Sequence, residues 1–338
     1  MSKTNVICAV PVRNEAWIIK DLILSAQKWA DLILIVDHNS TDQTGSIARA
    51  FEKVKVIPCK DNSLDRGTRR KLLIDEARKI PGRRLIFTLD ADEMISANWN
   101  DSSEWDTMLN AEPGTRFDFD WVELFPGLKE CDVFRQSAAF MDDDTEYTNR
   151  GTEIHESRVP DAHGEIIKLN DIKLLHYIFL DLESMFSKHR WYKCLEYLER
   201  GERPWALSVM YQDSRIKSYD APILPVRAEW IKGYDWLEQY RSLTTVKEKC
   251  YWYDEAVLDY FDKYGVQRFR KLNIWEVDWN QKAEKLGRTG NYHDPRSYFE
   301  KWIHKFIERY RENLNLRKDL KWKIIYRLGS VALKPFGW

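Results

Sequence analysis

Apolar and polar positions follow two rhythms along the first ninety residues. Short runs of buried-type residues, VICAV from Val6, LILIV from Leu32, VKVIP from Val54 and LIFTL from Leu85, are separated by longer segments with helical spacing. These segments are Glu15 to Ala30, Thr44 to Phe51 and Thr68 to Lys79. In the first, Ile18 or Ile19, Leu22, Ala26 and Trp29 or Ala30 share one face, as packing onto a sheet requires. Pro81 and Gly82 end the third. A β-α-β-α-β-α-β series of this kind predicts parallel strands, right-handed crossovers and helices on both sheet faces.

After Glu93 the rhythm stops. FDFDWVEL (Phe117 to Leu124) and CDVFR (Cys131 to Arg135) read as strands of a mixed, partly antiparallel extension, and Asp142 to Asp144 as a solvated loop. Beyond Leu180 the chain is helical in character and dense in Trp and Tyr, without a repeat period. The expected organisation is an α/β domain over residues 1–180 and a helical, aromatic-rich region over 181–338, with Pro222 and Pro225 marking a linker inside the second.

Composition narrows the function classes. With 338 residues and 43% hydrophobic content the chain can bury a large core, and length suggests two domains. Lys and Arg (53) nearly balance Asp and Glu (54), so nothing draws the whole chain toward nucleic acid. Five scattered cysteines without metal-type spacing point to core thiols in a reducing compartment. No signal pattern precedes Val6, and no apolar run approaches the roughly 20 residues of a membrane span. The expected location is cytoplasmic.

In open parallel sheets ligands bind beyond the carboxyl ends of the strands. Here those ends are polar: Pro11, Arg13, Asn14 and Glu15 after the first strand, Asp37, His38 and Asn39 after the second, Asp90, Asp92 and Glu93 after the fourth. Asn14, Glu15 and Asp42 also fit as helix caps. Carboxylates delivered by a core strand to an open edge are hard oxygen ligands suited to Mg²⁺ or Mn²⁺, and such an ion recruits a diphosphate.

VPVRNE (Val10 to Glu15), VDHNSTDQT (Val36 to Thr44), RGTRRKLLIDEAR with Arg70, LDADE (Leu89 to Glu93) and IHE (Ile154 to Glu156) together resemble the GT-A glycosyltransferases of family 2. The likeness covers about the first 180 residues and is nearest to the subgroup that builds lipopolysaccharide core and related surface glycans. It implies a GT-A, Rossmann-like, mostly parallel sheet and transfer of a sugar from a nucleotide-diphosphate donor to an acceptor hydroxyl of a glycan or glycolipid, with inversion. It also implies roles for single residues. Asp92 would bind the divalent metal, Asp90 would face the ribose or a metal-bound water, and Asp37 would read the nucleoside. Pro11, Arg13 and Glu15 would line the donor site with Arg70, for which Arg66 or Arg69 could substitute. A transfer of this type needs a general base opposite the leaving group, for which Glu156 is the candidate and Glu153 the reserve, with His155 orienting base or acceptor. His176 falls where many relatives place a histidine on the metal. His38 stands where many relatives carry a second acid, which leaves the nucleoside open.

Residues 301–338 hold ten Lys or Arg against three Asp or Glu, interleaved with Trp302, Phe306, Leu320, Trp322, Ile324 and Ile325. A basic amphipathic segment can lie on anionic lipid, or it can pack its apolar stripe against the protein. Trp230, Trp236, Trp252, Trp275 and Trp279 read as core more readily than as sugar-stacking platforms. Two other functions share parts of the pattern. Hydrolases with an aspartate nucleophile usually open the chain with their Asp-x-Asp, which here comes after three βα units. A non-catalytic nucleotide- or glycan-binding module on the same scaffold would not need the acids at Asp90, Asp92 and Glu156.

Overall fold

The computed structural model describes residues 3–59, 66–147, 157–161, 164–211, 223–234, 249–312 and 319–338. In chain order its main elements are β1 (Asn5–Val12), α1 (Ile19–Ala26), β2 (Leu32–His38), α2 (Thr44–Arg49), β3 (Val54–Cys59), α3 (Arg66–Ala77), β4 (Arg84–Thr88), β5 (Glu93–Ile95), α4 (Ser103–Asn110), β6 (Arg116–Leu124), β7 (Glu130–Met141) and β8 (Ile166–His176). There follow α5 (Leu182–Glu199), α6 (Pro204–Met210), β9 (Leu224–Pro225), α7 (Ala228–Ile231), α8 (Trp252–Tyr264), α9 (Trp279–Lys285), α10 (Tyr298–Glu312) and α11 (Leu320–Leu333). They form two compact units, one of Met1–Leu180 with Asp220–Leu243, the other of Asp181–Tyr219 with Thr244–Trp338.

The strands of the first unit lie in the order β3-β2-β1-β4-β7-β6-β8-β5, with β9 on β7. The first four are parallel, as the alternation predicts, and β7 joins β4 in antiparallel fashion to begin the mixed extension. Strand periodicity divides the apolar residues between two faces. Val6, Cys8, Val10, Ile33, Ile35, Leu85 and Phe87 pack with Ile19, Leu22 and Ile23 of α1. Ile7, Ala9, Leu34, Val36 and Ile86 pack with Leu73, Ile74 and Ala77 of α3. Burial on both sides is why these strands read as continuous apolar runs.

Two expectations are corrected here. Asp142 is not solvated: its side chain is fully buried and accepts from Arg84 Nε at 2.9 Å and Arg78 Nη2 at 2.8 Å, while Asp144 takes Arg84 Nη2 at 2.5 Å. The guanidinium groups come from the turn just after α3 and from the start of β4, so the acid is drawn inward by partners that its own neighbours do not reveal. Removing one partner of a buried pair costs about 3–5 kcal/mol. Asp142→Ala should therefore lower the unfolding free energy read from urea titration by that order, with a lower midpoint, and an unchanged midpoint would show the network to be solvent-relaxed. The second correction concerns Pro225, which lies in a strand and not in a linker, while Pro222 lies outside the described residues. Glu130 pairs with Pro225 and Cys131 with Leu224, and Trp230 and Tyr234 then enter the first unit's core, where Tyr234 Oη donates to the Ile95 carbonyl at 2.8 Å.

The second unit is helical among its described residues. Its core centres on Phe261, stacked on Trp275 at 5.1 Å and edge-on to Trp279 at 5.2 Å. Beside it, buried Asp254 pairs with Arg190 at 3.4 Å and with Lys282 at 2.8 Å. Of the five tryptophans expected in cores, Trp230, Trp275 and Trp279 are buried, each in its own unit, Trp252 is half-buried, and Trp236 lies outside the described residues.

His304 of α10 gives this unit an acid-sensitive point. Its Nε2 donates to the Lys271 carbonyl at 2.9 Å and its Nδ1 accepts from Arg296 Nη1 at 3.0 Å, a pattern only the neutral ring satisfies. Burial pushes its pKa down to about 4, with the Lys271 carbonyl opposing and the nearby Arg296 cation reinforcing the fall. Between that value and the ordinary one of about 6.5 the unfolded chain binds more protons, so stability rises with pH across this window. As pH falls from about 6.5 to about 4, wild type should lose on the order of 3 kcal/mol more than His304→Gln in parallel denaturation series. Equal losses would contradict the assignment.

Candidate active site

The carboxyl ends of the parallel strands lie along one rim. Register places Val12 beside Asp37 and His38 beside Cys59, and the Leu89 amide donates to the Ala9 carbonyl at 3.1 Å, so the loops after β1, β2 and β4 emerge together. The first two loops are stitched to each other. Asn14, at φ 55°, accepts through Oδ1 from the Thr41 amide at 2.7 Å and donates its own amide to Ser40 Oγ at 3.0 Å. Asn39 takes the same left-handed conformation, which Asn tolerates better than most residues. Asp42 accepts from the Thr44 amide at 2.9 Å and the Ala16 amide at 3.1 Å, a structural role in which it ties the two loops. Helix α1 consequently begins at Ile19 and not at Glu15, whose amide is taken by Thr44 Oγ1 at 2.7 Å.

Pro11, Arg13, Glu15 and Asp37 stand partly exposed on this rim. Glu15 Oε2 accepts from Trp17 Nε1 at 2.8 Å, and Asp37 Oδ1 accepts from the Ser40 amide at 3.0 Å. Gly45 lets the Asp37 carboxylate approach α2, because a Cβ there would sit 2.5 Å from Asp37 Oδ2.

Helix α3 lies against β1 and β2, and two consecutive arginines in its first turns reach the strands on either side of β1. Arg69 contacts Nδ1 of His38, the last residue of β2, and Arg70 Nη2 meets Asp90 Oδ1 at 3.4 Å beyond β4. Arg70 is buried, whereas Asp90 remains partly open and also pairs with Arg158 Nη2 at 3.1 Å. Two residues expected to contact a donor thus meet each other on the rim.

The acidic run divides by depth. Glu93 is fully buried, accepts from Trp121 Nε1 at 2.8 Å and the Asp90 amide at 2.9 Å, and pairs with Arg158. Asp92 faces His176, with Nε2 at 3.5 Å from Oδ2. Register explains the meeting: β5 and β6 both pair with β8, placing Glu93 and Glu123 opposite His176, and the Tyr177 amide donates to the Asp92 carbonyl at 2.9 Å. On its other side His176 Nδ1 lies 3.5 Å from Glu123 Oε1, and its ring stacks on Trp121 at 4.5 Å. Arg158 sits over the Trp121 ring at 5.4 Å, so the indole is contacted by both side chains. Burial alone would depress the His176 pKa. The Asp92 carboxylate, aided by Glu123, outweighs that effect and pushes it up to about 10.

Among the described residues no group of three or more His, Cys, Asp or Glu side chains is arranged to hold a metal ion. The Asp92–His176 pair nevertheless has suitable donor chemistry, since an imidazole backed by a carboxylate on its other nitrogen is the usual setting of a metal-bound histidine. An ion held by two protein donors would complete its coordination with phosphate oxygens and water, as Mg²⁺ commonly does. Glu153, His155 and Glu156 lie outside the described residues. Sequence reasoning did not single out Trp121, Glu123 or Arg158. Trp121 and Glu123 sit two apart on β6, an apolar alternation that ends in an acid, and this was the available signal.

A rim of this construction belongs to an α/β domain of the class that takes ligands at the carboxyl edge of its parallel strands. Residues 7–100, from β1 through the turn after β5, match the sequence model of the glycosyl transferase family 2. No curated protein matches the chain. Among solved structures, glucosyl-3-phosphoglycerate synthase from Mycobacterium tuberculosis in complex with Mn²⁺, UDP and glucosyl-3-phosphoglycerate is similar, at 16% identity and TM-score 0.28, covering 36% of this chain and 44% of that one. The same synthase in complex with Mn²⁺, UDP-glucose and phosphoglyceric acid is similar at 17% identity and TM-score 0.27, again over 36% of this chain and 44% of that one. The chain thus spans less than half the length of the synthase structures it matches.

Proposed function

We propose that the protein is an inverting, metal-dependent glycosyltransferase that moves a sugar from a nucleotide-diphosphate donor to a hydroxyl of a glycan or glycolipid acceptor, in surface glycan or lipopolysaccharide synthesis in the cytoplasm. The observation that carries this reading is the meeting of Asp92, His176 and the Arg70–Asp90 pair on one rim, reached from the segment that matches the family.

In this reading Asp92 and His176 would hold Mn²⁺ or Mg²⁺, with Glu123 orienting the imidazole. The bound ion would offset charge that develops on the departing diphosphate. Arg13, Arg70 and Arg158 supply fixed positive charge at the same edge, and Arg70 is already oriented by Asp90. Asp37, Pro11 and Glu15 border the nucleoside side. Glu156, two residues before Arg158 in the chain, accepts the proton of the acceptor hydroxyl as its oxygen bonds to the anomeric carbon and the bond to the diphosphate breaks. Attack opposite the leaving group inverts that carbon. His155 orients the base or the acceptor.

A thermal-shift panel of UDP, GDP, CDP and ADP with and without Mn²⁺ tests the donor side. One nucleotide should stand out with Mn²⁺ present, because ligand at about 100 times its Kd adds about 2.7 kcal/mol to stability, a shift of several degrees. No response to any of the four would contradict the reading.

A further inference from the structure

Helix α11 has two apolar faces, and the second unit covers one of them. Tyr326 stacks on Tyr310 of α10 at 4.0 Å and lies 4.9 Å from Trp205 of α6. Gly329 sits against Trp205, and Leu333 packs on the cluster of Trp205, Ile303, Ile307 and Trp338. Trp322, Tyr326, Gly329 and Leu333 follow helical spacing along that side. Half a turn away, Leu320, Ile324, Leu328 and Val331 form a second stripe with the same spacing, and they are 71%, 50%, 62% and 64% exposed. Phe336, just past the helix, is exposed as well.

Between Leu320 and Lys334 the charged residues are all cationic: Lys321, Lys323, Arg327 and Lys334. Asp319, just before the helix, is used as the cap of α11, accepting from the Lys321 amide at 2.8 Å. Helix α10 separately exposes Tyr298, Phe299 and Trp302, and the stacked ladder from Phe299 through Trp302 and Phe306 ends on Tyr326, on the covered side of α11. Sugar transfer at the rim of the first unit uses none of these residues.

We propose that the outer face of α11 lies on an anionic lipid surface. Its apolar stripe would enter the boundary between headgroups and acyl chains, and the long Lys and Arg side chains beside it would reach the lipid phosphates. Charge decides between occupants. A second copy would bring four more cations to the same face, whereas an anionic leaflet neutralises them. No helix among the described residues is long and apolar enough to cross a membrane, so α11 rests in the surface plane.

Flotation of the full chain with vesicles tests this independently of nucleotide binding. The protein should float with phosphatidylcholine vesicles that contain phosphatidylglycerol, remain behind with phosphatidylcholine alone, and be released by salt. Ile324→Glu combined with Leu328→Glu should reduce flotation at least about tenfold. Its circular dichroism and nucleotide-dependent melting should stay at wild-type values, because both side chains point away from the packed face. Lys323→Ala and Arg327→Ala should each weaken partition about fivefold. Absence of flotation, flotation indifferent to phosphatidylglycerol, or wild-type flotation of the Ile324→Glu/Leu328→Glu protein would overturn the proposal. So would a solution dimer that those two substitutions dissolve, since it would assign the face to a second copy.

Discussion

Asp92→Ala should reduce Mn²⁺-dependent transfer, or donor hydrolysis where no acceptor is supplied, by about 10³-fold or more in kcat/KM. That corresponds to about 4 kcal/mol of lost transition-state stabilisation. The size of the effect follows from how few protein donors the site offers. His176 is the imidazole that faces Asp92, and Glu123 stands behind that ring, so removal of Asp92 halves the proposed protein ligand set. The fold should survive. The substitution keeps the backbone bond from the Tyr177 amide to the carbonyl of residue 92, and Glu93 keeps its bonds to Trp121, Arg158 and the Asp90 amide. Glu93→Ala should behave differently, losing thermal stability together with activity, because a fully buried acceptor of three groups disappears. Undiminished turnover in a folded Asp92→Ala protein would remove the metal assignment.

Glu156→Gln should retain donor binding and lose transfer, with kcat lower by about 10²- to 10⁴-fold, the range that a positioned general base contributes. The amide keeps the shape of the carboxylate and cannot accept the acceptor proton. The useful comparison is between the nucleotide-induced melting shift, which should match wild type, and the transfer rate, which should not. A normal rate would move the base elsewhere, with Glu153 the first alternative.

The parallel half of the sheet was legible in the sequence because strands buried on both faces carry little but apolar residues, and the crossovers between them have helical spacing. The convergence of the Arg13, Asp37 and Asp90 loops followed from the same topology, and strand register bears it out. What escaped depended on partners distant in sequence. Glu93 looked like one more acid in a run, yet its depth is set by Trp121 and by Arg158, the latter 65 residues away. Asp142 looked solvated because the two arginines that bury it lie more than fifty residues earlier, just after α3 and at the start of β4. The return of Leu224 to Tyr234 to the first unit was hidden by prolines, which suggest a linker but are tolerated in an edge strand. Hydropathy also marked α11 as amphipathic without saying which face the fold would cover, and only the packing of Tyr326 on Tyr310 shows that the Leu320 to Val331 stripe is left outside.

The most direct measurement is calorimetric titration of the nucleoside diphosphate selected by the thermal-shift panel into wild type with Mn²⁺, wild type with EDTA, and Asp92→Ala with Mn²⁺. Binding should be clear in the first case and at least about tenfold weaker in the other two, a loss of at least about 1.4 kcal/mol. Equal affinity in all three would contradict a metal-dependent donor site built on Asp92.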